Sequence, residues 1–450
     1  MATKLGQKLI SSALLLGDLI MLYISLWVAL LLRYLEIPSS ALFAKHFLPF
    51  SFIFVVWIAV FYIADLYGRS FKLQSKNLLG LIFKSQSVNG IIAIIFFYLL
   101  PYYGITPKTV LIIDVLVSFL FLYFWRILAR SFLRLSSAQS ILAVGSGREF
   151  QELIEDLKQH PQHGFFVLEV INSQTISQNF QGVFEKKIDD LIKNDKNLAI
   201  MVESFQNCPK EAVEHFYNLM SQGIKFTDFQ KFYENIFQYV PLSFVNEAWL
   251  LENISSSKKD FYDLPKRLLD VVAALIFGIV SLIFYPFIIL AIKLDDGGPI
   301  FFINKRVGQG GKIFQHIKFR SMCVDADSKW PEKGDKRITQ VGNFLRKTRL
   351  DELPQLWNVL RGDMSFVGPR PDFLDFAQKL EKEIPYYNIR SLIKPGLTGW
   401  AQIQQTAPSS VEETEKRLAY DIYYIKNRSI VLDLTIILKT IRIMLSRSGV

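Results

Sequence analysis

An adjacent carboxylate pair, Asp351-Glu352, follows a basic run at Arg346, Lys347 and Arg349. Further along, Arg370 stands between Pro369 and Pro371. Nearby positive charge keeps a carboxylate ionised, and an ionised carboxylate can attack an electrophile or hold a cation. Prolines on both sides of an arginine restrict its backbone, so little freedom is lost when its fork grips a phosphate or a uracil edge. Taken alone, an acidic pair at a helix start only complements the helix dipole. The basic neighbours and the restrained arginine point instead to chemistry on a phosphate-bearing substrate. Upstream, Lys318 and Arg320 alternate along a strand and share a face. Two cations there suit a diphosphate, or are a solvated strand face.

Several elements must position these groups. The stretch GGPIFFINKRVGQGGKIFQHIKFRSM reads as a hairpin around Gly308, Gly310 and Gly311. It lacks the GK[ST] ending of a phosphate-binding loop. The stretch ITQVGNFLRKTRLDELPQLWNVLRGDMSF reads as two helices joined near Thr348, with Trp357 and Leu360 on an apolar face. Ahead of both lies an apolar segment, 266–293, with Pro286 near its middle. Proline removes a helix donor and clashes with the carbonyl of Leu282; Ser281 is the candidate donor to that freed carbonyl. Lys266 and Arg267 precede the segment and Lys293 follows it. A kinked fifth span and a helix bent at Tyr285-Pro286, returning to the same face, both fit these flanks. Near the C-terminus, DIYYIKNRSIVLDLTIILKTIRIML has apolar residues at helical spacing, interrupted by Asp433, Lys439 and Arg442. It is too polar for a span and reads as an interfacial helix.

The first third of the 450-residue chain differs from the rest. Four apolar segments, roughly 9–32, 47–64, 78–100 and 109–128, each approach the ~20 residues that cross a bilayer. The first is too long for a signal peptide. Lys4, Lys8, Arg69, Lys72, Lys76, Lys84, Arg126, Arg130 and Arg134 fall on one side, against Arg33, Lys45 and Lys108 on the other. That bias puts both ends of the unit in the cytoplasm. The unit reads as an anchor; Asp18 and Asp114 are expected near enough to span ends to be wet. The formal charge of +10 calls for an anionic partner, nucleic acid or phospholipid. Two distant cysteines exclude a structural zinc site of CxxC type, and the five histidines form no HExxH pattern, so any metal is expected on oxygen ligands.

From about Ser140 the pattern turns to alternating strands and helices, with SILAVGSGREF, FFVLEVIN and NLAIMVE as strands. Gly145 and Gly147 fit the first two positions of GxGxxG, but Phe150 takes the third. Only Glu169 is placed to serve as the ribose-binding acid. This reads as a Rossmann-like domain without a working cofactor site.

Together KFRSM, RKTRLDELPQLWNVLRGDMSFVGPRP and KPGLTGWAQI resemble the bacterial sugar transferase family, the monotopic polyprenyl-phosphate phosphoglycosyl transferases. The resemblance covers 262–450. The four spans and the degenerate domain ahead resemble the large members of galactose or glucose phosphotransferase type. It implies transfer of a sugar-1-phosphate from a UDP-sugar to polyprenyl (undecaprenyl) phosphate, releasing UMP, at the start of surface-glycan assembly. It implies Asp351 as nucleophile through an aspartyl phospho-sugar intermediate, Glu352 as its partner in metal positioning or proton handling, and Mg²⁺ as cofactor. Lys318, Arg346 and Arg370 fall on the family's basic cleft residues, and Pro286 on its helix bend, which favours the returning helix. The implied partners are UDP-sugar, polyprenyl phosphate and membrane lipid rather than nucleic acid, with a homodimer, in the bacterial inner membrane and with the catalytic domain at its cytoplasmic face. Arg349 departs from the small or polar residue expected there.

The expected fold class is therefore membrane α plus α/β. A four-helix transmembrane unit spans 1–137, and a degenerate Rossmann-like parallel-sheet domain spans 138–255. An α+β catalytic domain spans 256–450, with a re-entrant helix at 266–293 and interfacial amphipathic helices.

Overall fold

The computed structural model describes residues 2–64, 66–67, 78–99, 108–133, 139–160, 163–173, 185–195, 197–254, 260–323, 335, 337–406 and 408–446. Two compact units divide after Asn235. In the first, four long helices come first: α1 (Ala2–Tyr34), α2 (Ser40–Ile63), α3 (Leu78–Leu99) and α4 (Lys108–Leu133). Each contains a window long and apolar enough to cross a membrane. Their shared core is aromatic and aliphatic, with Leu22, Leu26, Phe50, Phe54 and Trp57 fully enclosed. The basic residues Arg69, Lys72, Lys76 and Arg134 lie outside the described residues.

The expectation of wet acidic groups in the spans is corrected. Asp18 and Asp114 are completely buried. Arg126 forms an ion pair with Asp18, and Tyr67 donates to the same carboxylate at 2.6 Å. Ser25 donates to Asp114 at 2.7 Å. A charge excluded from both water and lipid has to be met inside the bundle, so these contacts tie α1 to α4.

The same unit then holds β1 (Gln139–Val144), α5 (Arg148–Gln159), β2 (Phe165–Ile171), α6 (Glu185–Asn194), β3 (Leu198–Val202), α7 (Lys210–Ser221), β4 (Lys225–Asp228) and all but the last two residues of α8 (Phe229–Phe237). The four strands are parallel in the order β2-β1-β3-β4. The fourth strand, short and mostly polar, escaped the sequence reading. The glycine turn is filled from within the fold. Glu203, just past β3, places its carboxylate on the backbone N–H groups of Ser146 (2.7 Å) and Gly147 (3.1 Å). That is the seat a pyrophosphate takes at a helix N-terminus. A Cβ on Gly145 would lie 2.7 Å from Glu203 side-chain atoms, and one on Gly147 would lie 2.2 Å away. The glycines here make room for an internal carboxylate. Phe150 is buried in the core against Phe229. Glu169 is taken by an ion pair with Lys187.

Residues 236–254, expected in the sheet domain, group instead with the second unit. Tyr239 packs edge-on against Tyr420, and the Trp400 indole donates to the Gln238 carbonyl at 2.8 Å. This unit continues through α9 (Glu247–Asn253), α10 (Asp260–Leu282), α11 (Tyr285–Asp296), β5 (Phe301–Val307), β6 (Ile313–Phe319), α12 (Gln340–Thr348), α13 (Gln355–Arg361), β7 (Ser365–Val367), α14 (Leu374–Glu383), β8 (Gly396–Thr398), α15 (Trp400–Gln404), α16 (Val411–Asn427) and α17 (Ile430–Ser446).

The apolar segment with Pro286 is two helices bent by 57°. Pro286 sits in the first turn of α11, where its missing donor is harmless. Ser281 donates to the carbonyl of Gly278 at 2.7 Å, not to that of Leu282 as expected. Each limb packs on the same body: Ala274 of α10 against Phe314 and Val359, and Ile288 and Ile292 of α11 against Phe319 and Leu345.

The C-terminal stretch read as one interfacial helix is two. In α16, Leu418, Ile422, Tyr423, Tyr424 and Ile425 are buried in the unit's core. Only α17 keeps an exposed apolar set, Val431, Leu434 and Met444. Asp433, which looked like a polar interruption, is enclosed. It takes hydrogen bonds from Tyr262 and Tyr424 (both 2.7 Å) and pairs with Lys266 at 2.8 Å.

Candidate active site

The hairpin β5–β6 forms as the glycines foretold, with Gly310 and Gly311 at positive φ. On β6 the alternation directs Phe314, His316 and Lys318 to one face, opposite Arg306, Asn304 and Phe302 of β5. The buried Asn358 of α13 fastens that strand in place. Its amide donates to the Gln315 carbonyl at 2.7 Å and accepts from the Ile317 N–H at 3.3 Å. This fixes where Lys318 meets the acidic pair.

The α12 helix ends at Arg349, whose φ of 59° is left-handed. A non-glycine residue held there carries strain on the order of 1–3 kcal/mol, and such strain concentrates at functional positions. The reversal starts a single 3-10 turn, Leu350–Glu352, that carries the acidic pair. Glu352 then lies between three cations: Lys318 Nζ at 2.8 Å, Arg370 Nη2 at 3.7 Å and Arg349 Nη1 at 3.8 Å from Oε1. Sequence reasoning had no role for Arg349; the structure supplies one.

The two carboxyls are set apart electrostatically. Burial alone would raise that of Glu352, but Lys318, Arg370 and Arg349 hold it well below the usual carboxylate range. Burial raises that of Asp351, aided by the charge of Glu352 and opposed by Lys318, Arg349 and Arg346. Asp351 is 6% exposed, and its Oδ1 has no hydrogen-bond partner among the described residues. A desolvated carboxylate oxygen left unpaired is costly to hold and chemically poised. It is also the oxygen here best suited to a cation. Mg²⁺ takes one or two carboxylates and completes its shell with waters and substrate phosphates, so this acidic pair fits it.

Arg370 is restrained more thoroughly than its prolines require. The Pro369 carbonyl accepts from Gly396 N–H (2.9 Å), that of Arg370 from Arg390 (2.9 Å), and that of Pro371 from Arg306 (2.8 Å). The close approach of Gly368 to Gly396 explains the glycines of the two motifs, since a Cβ on Gly396 would meet the Gly368 nitrogen at 2.1 Å. Behind the loop Arg390 also binds Asp372 and donates to Asp421 at 2.6 Å, and Arg417 pairs with Asp372 at 3.1 Å. Burial would raise the Asp372 carboxyl, but Arg390 and Arg417 hold it down at about 2. A cleft opens beside Arg370, bordered by Gly308, Pro371, Glu381, Ser391 and Ile393.

The remaining sequence candidates divide. Lys318, Glu352 and Arg370 come together, and Asp351 and Arg346 lie within electrostatic reach of the same group. Arg346 also donates to Ser321 at 2.9 Å. Arg320 shares the strand alternation with Lys318 but is committed elsewhere: its buried guanidinium pairs with Asp296 at the end of α11. Arg306, His316, Asn358 and Arg390 went unread. Burial, then the neighbouring cations, pushes the His316 imidazole down to about 3, so it stays neutral beside Lys318. Only the alternation on β6 could have drawn attention to it.

The bacterial sugar transferase profile matches residues 261–447. A UDP-galactose-lipid carrier transferase of Erwinia amylovora is 33% identical over 345 residues, covering 70% of each chain. A UDP-glucose:undecaprenyl-phosphate glucose-1-phosphate transferase of Caulobacter vibrioides is 44% identical over 192 residues, 41% of this chain and 71% of that one. A UDP-N-acetylgalactosamine-undecaprenyl-phosphate N-acetylgalactosaminephosphotransferase of Aeromonas hydrophila is 41% identical over 194 residues; the match spans 42% of this chain and less than half, 45%, of that one.

Two measurements check this geometry. A carboxyl with a raised folded-state pKa destabilises the fold above that pKa, where a charge is buried that the unfolded chain keeps in water. Asp351→Asn should therefore melt higher than the parent at neutral pH. Glu352→Gln strands Lys318 and should lose about 3–5 kcal/mol. Thermal melts in detergent with both variants shifted alike would contradict the separation of roles. Arg390→Lys keeps its charge but cannot hold Asp372, Asp421 and the Arg370 carbonyl at once. With the nucleotide ligand proposed below, calorimetry should show UDP bound ~10-fold or more weakly, the loss of one charge-assisted bond's worth of positioning; unchanged affinity would remove Arg390 from the site.

Proposed function

The chain belongs to the bacterial sugar transferase family, and from that premise we propose that it transfers a sugar-1-phosphate from a UDP-sugar to polyprenyl phosphate, releasing UMP. The observation that carries this reading is the buried, unpartnered Oδ1 of Asp351 beside a Glu352 neutralised by Lys318, Arg370 and Arg349. Strain and desolvation concentrate there on an oxygen that no described residue bonds.

In the first step Asp351 Oδ1 bonds to the sugar-proximal phosphorus. The bond from that phosphorus to the bridging oxygen breaks, and UMP leaves with the electron pair. In the second step a phosphate oxygen of polyprenyl phosphate attacks the same phosphorus and releases the Asp351 carboxylate, giving a polyprenyl diphospho-sugar. Splitting the exchange this way needs no complex of both large substrates. Lys318, Arg306, Arg346 and Arg370 offset the negative charge that collects as the diphosphate bond breaks. Mg²⁺ held by Asp351, with Glu352 alongside, and the diphosphate oxygens would supply further charge neutralisation. The cleft beside Arg370 is the seat we assign to the nucleotide. The relatives above are named for three different sugars at similar identity, so the hexose class alone is assigned.

We further assign α10–α11 to a helix that enters the membrane and returns. Its two far ends are fastened to one soluble body. Arg267 donates to the carbonyls of Val359 and Leu360 (2.7 and 2.8 Å), while Asp296 pairs with Arg320 and Asp295 accepts from the Val341 N–H at 3.2 Å. Around the bend Phe277, Ile279, Leu282, Ile283 and Phe287 stand exposed, a surface that lipid would cover. The exposed apolar face of α17 would lie at the same interface. We assign the transferase to the cytoplasmic face of the bacterial inner membrane, as a homodimer that initiates a surface glycan such as an exopolysaccharide, O-antigen or capsule.

Adding UDP-sugar without lipid acceptor should leave a hexose-phosphate on the peptide that contains Asp351, read by mass spectrometry. The rate should fall as pH drops through a pKa above the usual carboxylate value of ~3.9, because Asp351 must be ionised. Asp351→Asn should lose ~10⁴-fold in turnover. No adduct, with UMP appearing only when both substrates are bound, would overturn the mechanism. For topology, Cys208 and Cys323 are replaced by serine and single cysteines are placed at Leu264 and Leu294, both well exposed. Both should react with an impermeant thiol reagent in inverted vesicles and neither in intact spheroplasts. Labelling from opposite sides would mean a crossing helix.

A further inference from the structure

Two cations at the foot of α10 are not among those that surround Glu352. Arg267 lies near the start of that helix, and its guanidinium donates to the carbonyls of Val359 and Leu360 (2.7 and 2.8 Å). Those acceptors form the negative end of α13, so the charge of Arg267 meets a helix terminus and not a carboxylate. The Lys394 side chain, from the loop before β8, reaches the same place. A Cβ on Gly362 would lie 3.4 Å from Lys394 Nζ and 3.5 Å from Arg267 Nη2, so both cations border one small space. Among the described residues Lys394 Nζ forms no hydrogen bond or ion pair, and it stays partly open to water. Burial, then the charge of Arg267, pushes its ammonium down, while Asp270 and Asp363 push it up. Both of those carboxylates bond elsewhere. Asp270 accepts from the Phe366 N–H at 3.1 Å, and Asp363 accepts from the Asn358 amide at 3.4 Å.

We propose that Arg267 and Lys394 together bind the headgroup phosphate of an anionic phospholipid from the surrounding membrane. The proposal rests on the assignment of α10–α11 to a helix that enters the membrane and returns. Two neighbouring cations repel each other, and a phosphate seated against both removes that repulsion. A phosphate oxygen can take a hydrogen bond from the ammonium of Lys394 while the guanidinium of Arg267 keeps its carbonyls.

The surroundings favour a lipid over a soluble anion. Just past Arg267, Leu268, Val272, Leu275 and Ile279 are exposed at helical spacing, an apolar stripe that runs along α10 toward the bend. On α13 the exposed Trp357 carries the Arg361 guanidinium 5.7 Å from its ring centre. Indole rings and basic side chains of this kind gather where hydrocarbon meets headgroups, the stem on apolar surface and the charge in water. The neighbouring Lys266 pairs with Asp433 and so brings the exposed Val431 and Leu434 of α17 to the same end of α10. A phospholipid can lay its chains along the stripe with its phosphate at Arg267 and Lys394; a free anion would gain the charges alone. Polyprenyl phosphate carries the same group on a lipid, so the experiment separates it from the bulk phospholipid.

The test uses the full-length protein, delipidated in mild detergent and titrated separately with phosphatidylglycerol, phosphatidylcholine and polyprenyl phosphate, with bound lipid read by native mass spectrometry. The parent should hold phosphatidylglycerol in preference to phosphatidylcholine, and excess inorganic phosphate should not displace it. Lys394→Gln should weaken phosphatidylglycerol binding about fivefold, the share of one cation at a membrane surface. Lys394→Arg should restore it, and Lys379→Gln, at an exposed lysine of α14, should leave it unchanged. Arg267 stays in place because it also holds the end of α13. Native charge-state distributions report folding, and Lys394→Met, which keeps a stem without the charge, replaces the glutamine variant if that one unfolds. Equal phosphatidylglycerol binding by parent and Lys394→Gln, an equal loss in Lys379→Gln, displacement by inorganic phosphate, or a loss confined to polyprenyl phosphate would each overturn the proposal. Cysteine labelling at Leu264 and Leu294 reads the helix assignment independently, so labelling from one side together with any of these results sinks the lipid site alone.

Discussion

The ion pair between Lys318 and Glu352 is the joint on which the catalytic unit turns. Lys318 comes from the hairpin and Glu352 from the 3-10 turn after a left-handed Arg349. Asn358 ties the two elements through the backbone of β6, and Arg370 arrives from a loop whose carbonyls are individually bonded. Glu352 Oε1 meets three cations, whereas the neighbouring Asp351 Oδ1 has no hydrogen-bond partner among the described residues. A buried pair adds little net stability by itself, but breaking it is expensive. The pair therefore acts mainly as a specification: it permits one mutual arrangement of strand, turn and loop.

Similar logic runs through the apolar parts. Lys266–Asp433 and Arg320–Asp296 pin the far ends of the two bent limbs to the soluble body. Asp18–Arg126 does the same between spans of the bundle. In each case an ionisable group has been moved out of water, where it can persist only in a defined geometry. Apolar packing alone would tolerate sliding and rotation of helices; an enclosed ion pair does not.

The sheet domain fills its glycine turn with a side chain of its own. With Glu203 seated on the N–H groups at the head of α5, the positive end of that helix is already satisfied. A nucleotide phosphate would have to displace a covalently tethered carboxylate held at high local concentration. The turn keeps its shape and loses its vacancy.

Local pattern was enough for much of this protein. The four long apolar helices follow from runs of apolar residues, the hairpin from its glycines, and the acidic pair with its basic setting from adjacent letters. These are properties of short segments, where hydropathy and φ preference act without help from distant residues. Arg349 marks the limit. Its identity is plain in the sequence, but its left-handed backbone and its reach to Glu352 exist only once α12 and the following turn are packed. Arg320 shows the converse: alternation put it beside Lys318, and an acidic residue at the end of another helix took it away. Burial of Asp18, Asp114 and Asp433, the carboxylate in the glycine turn, and the core position of α16 were also beyond reach. Each depends on which partner lies across from a residue in space, and side-chain pairing over long sequence separation is decided by the tertiary structure alone.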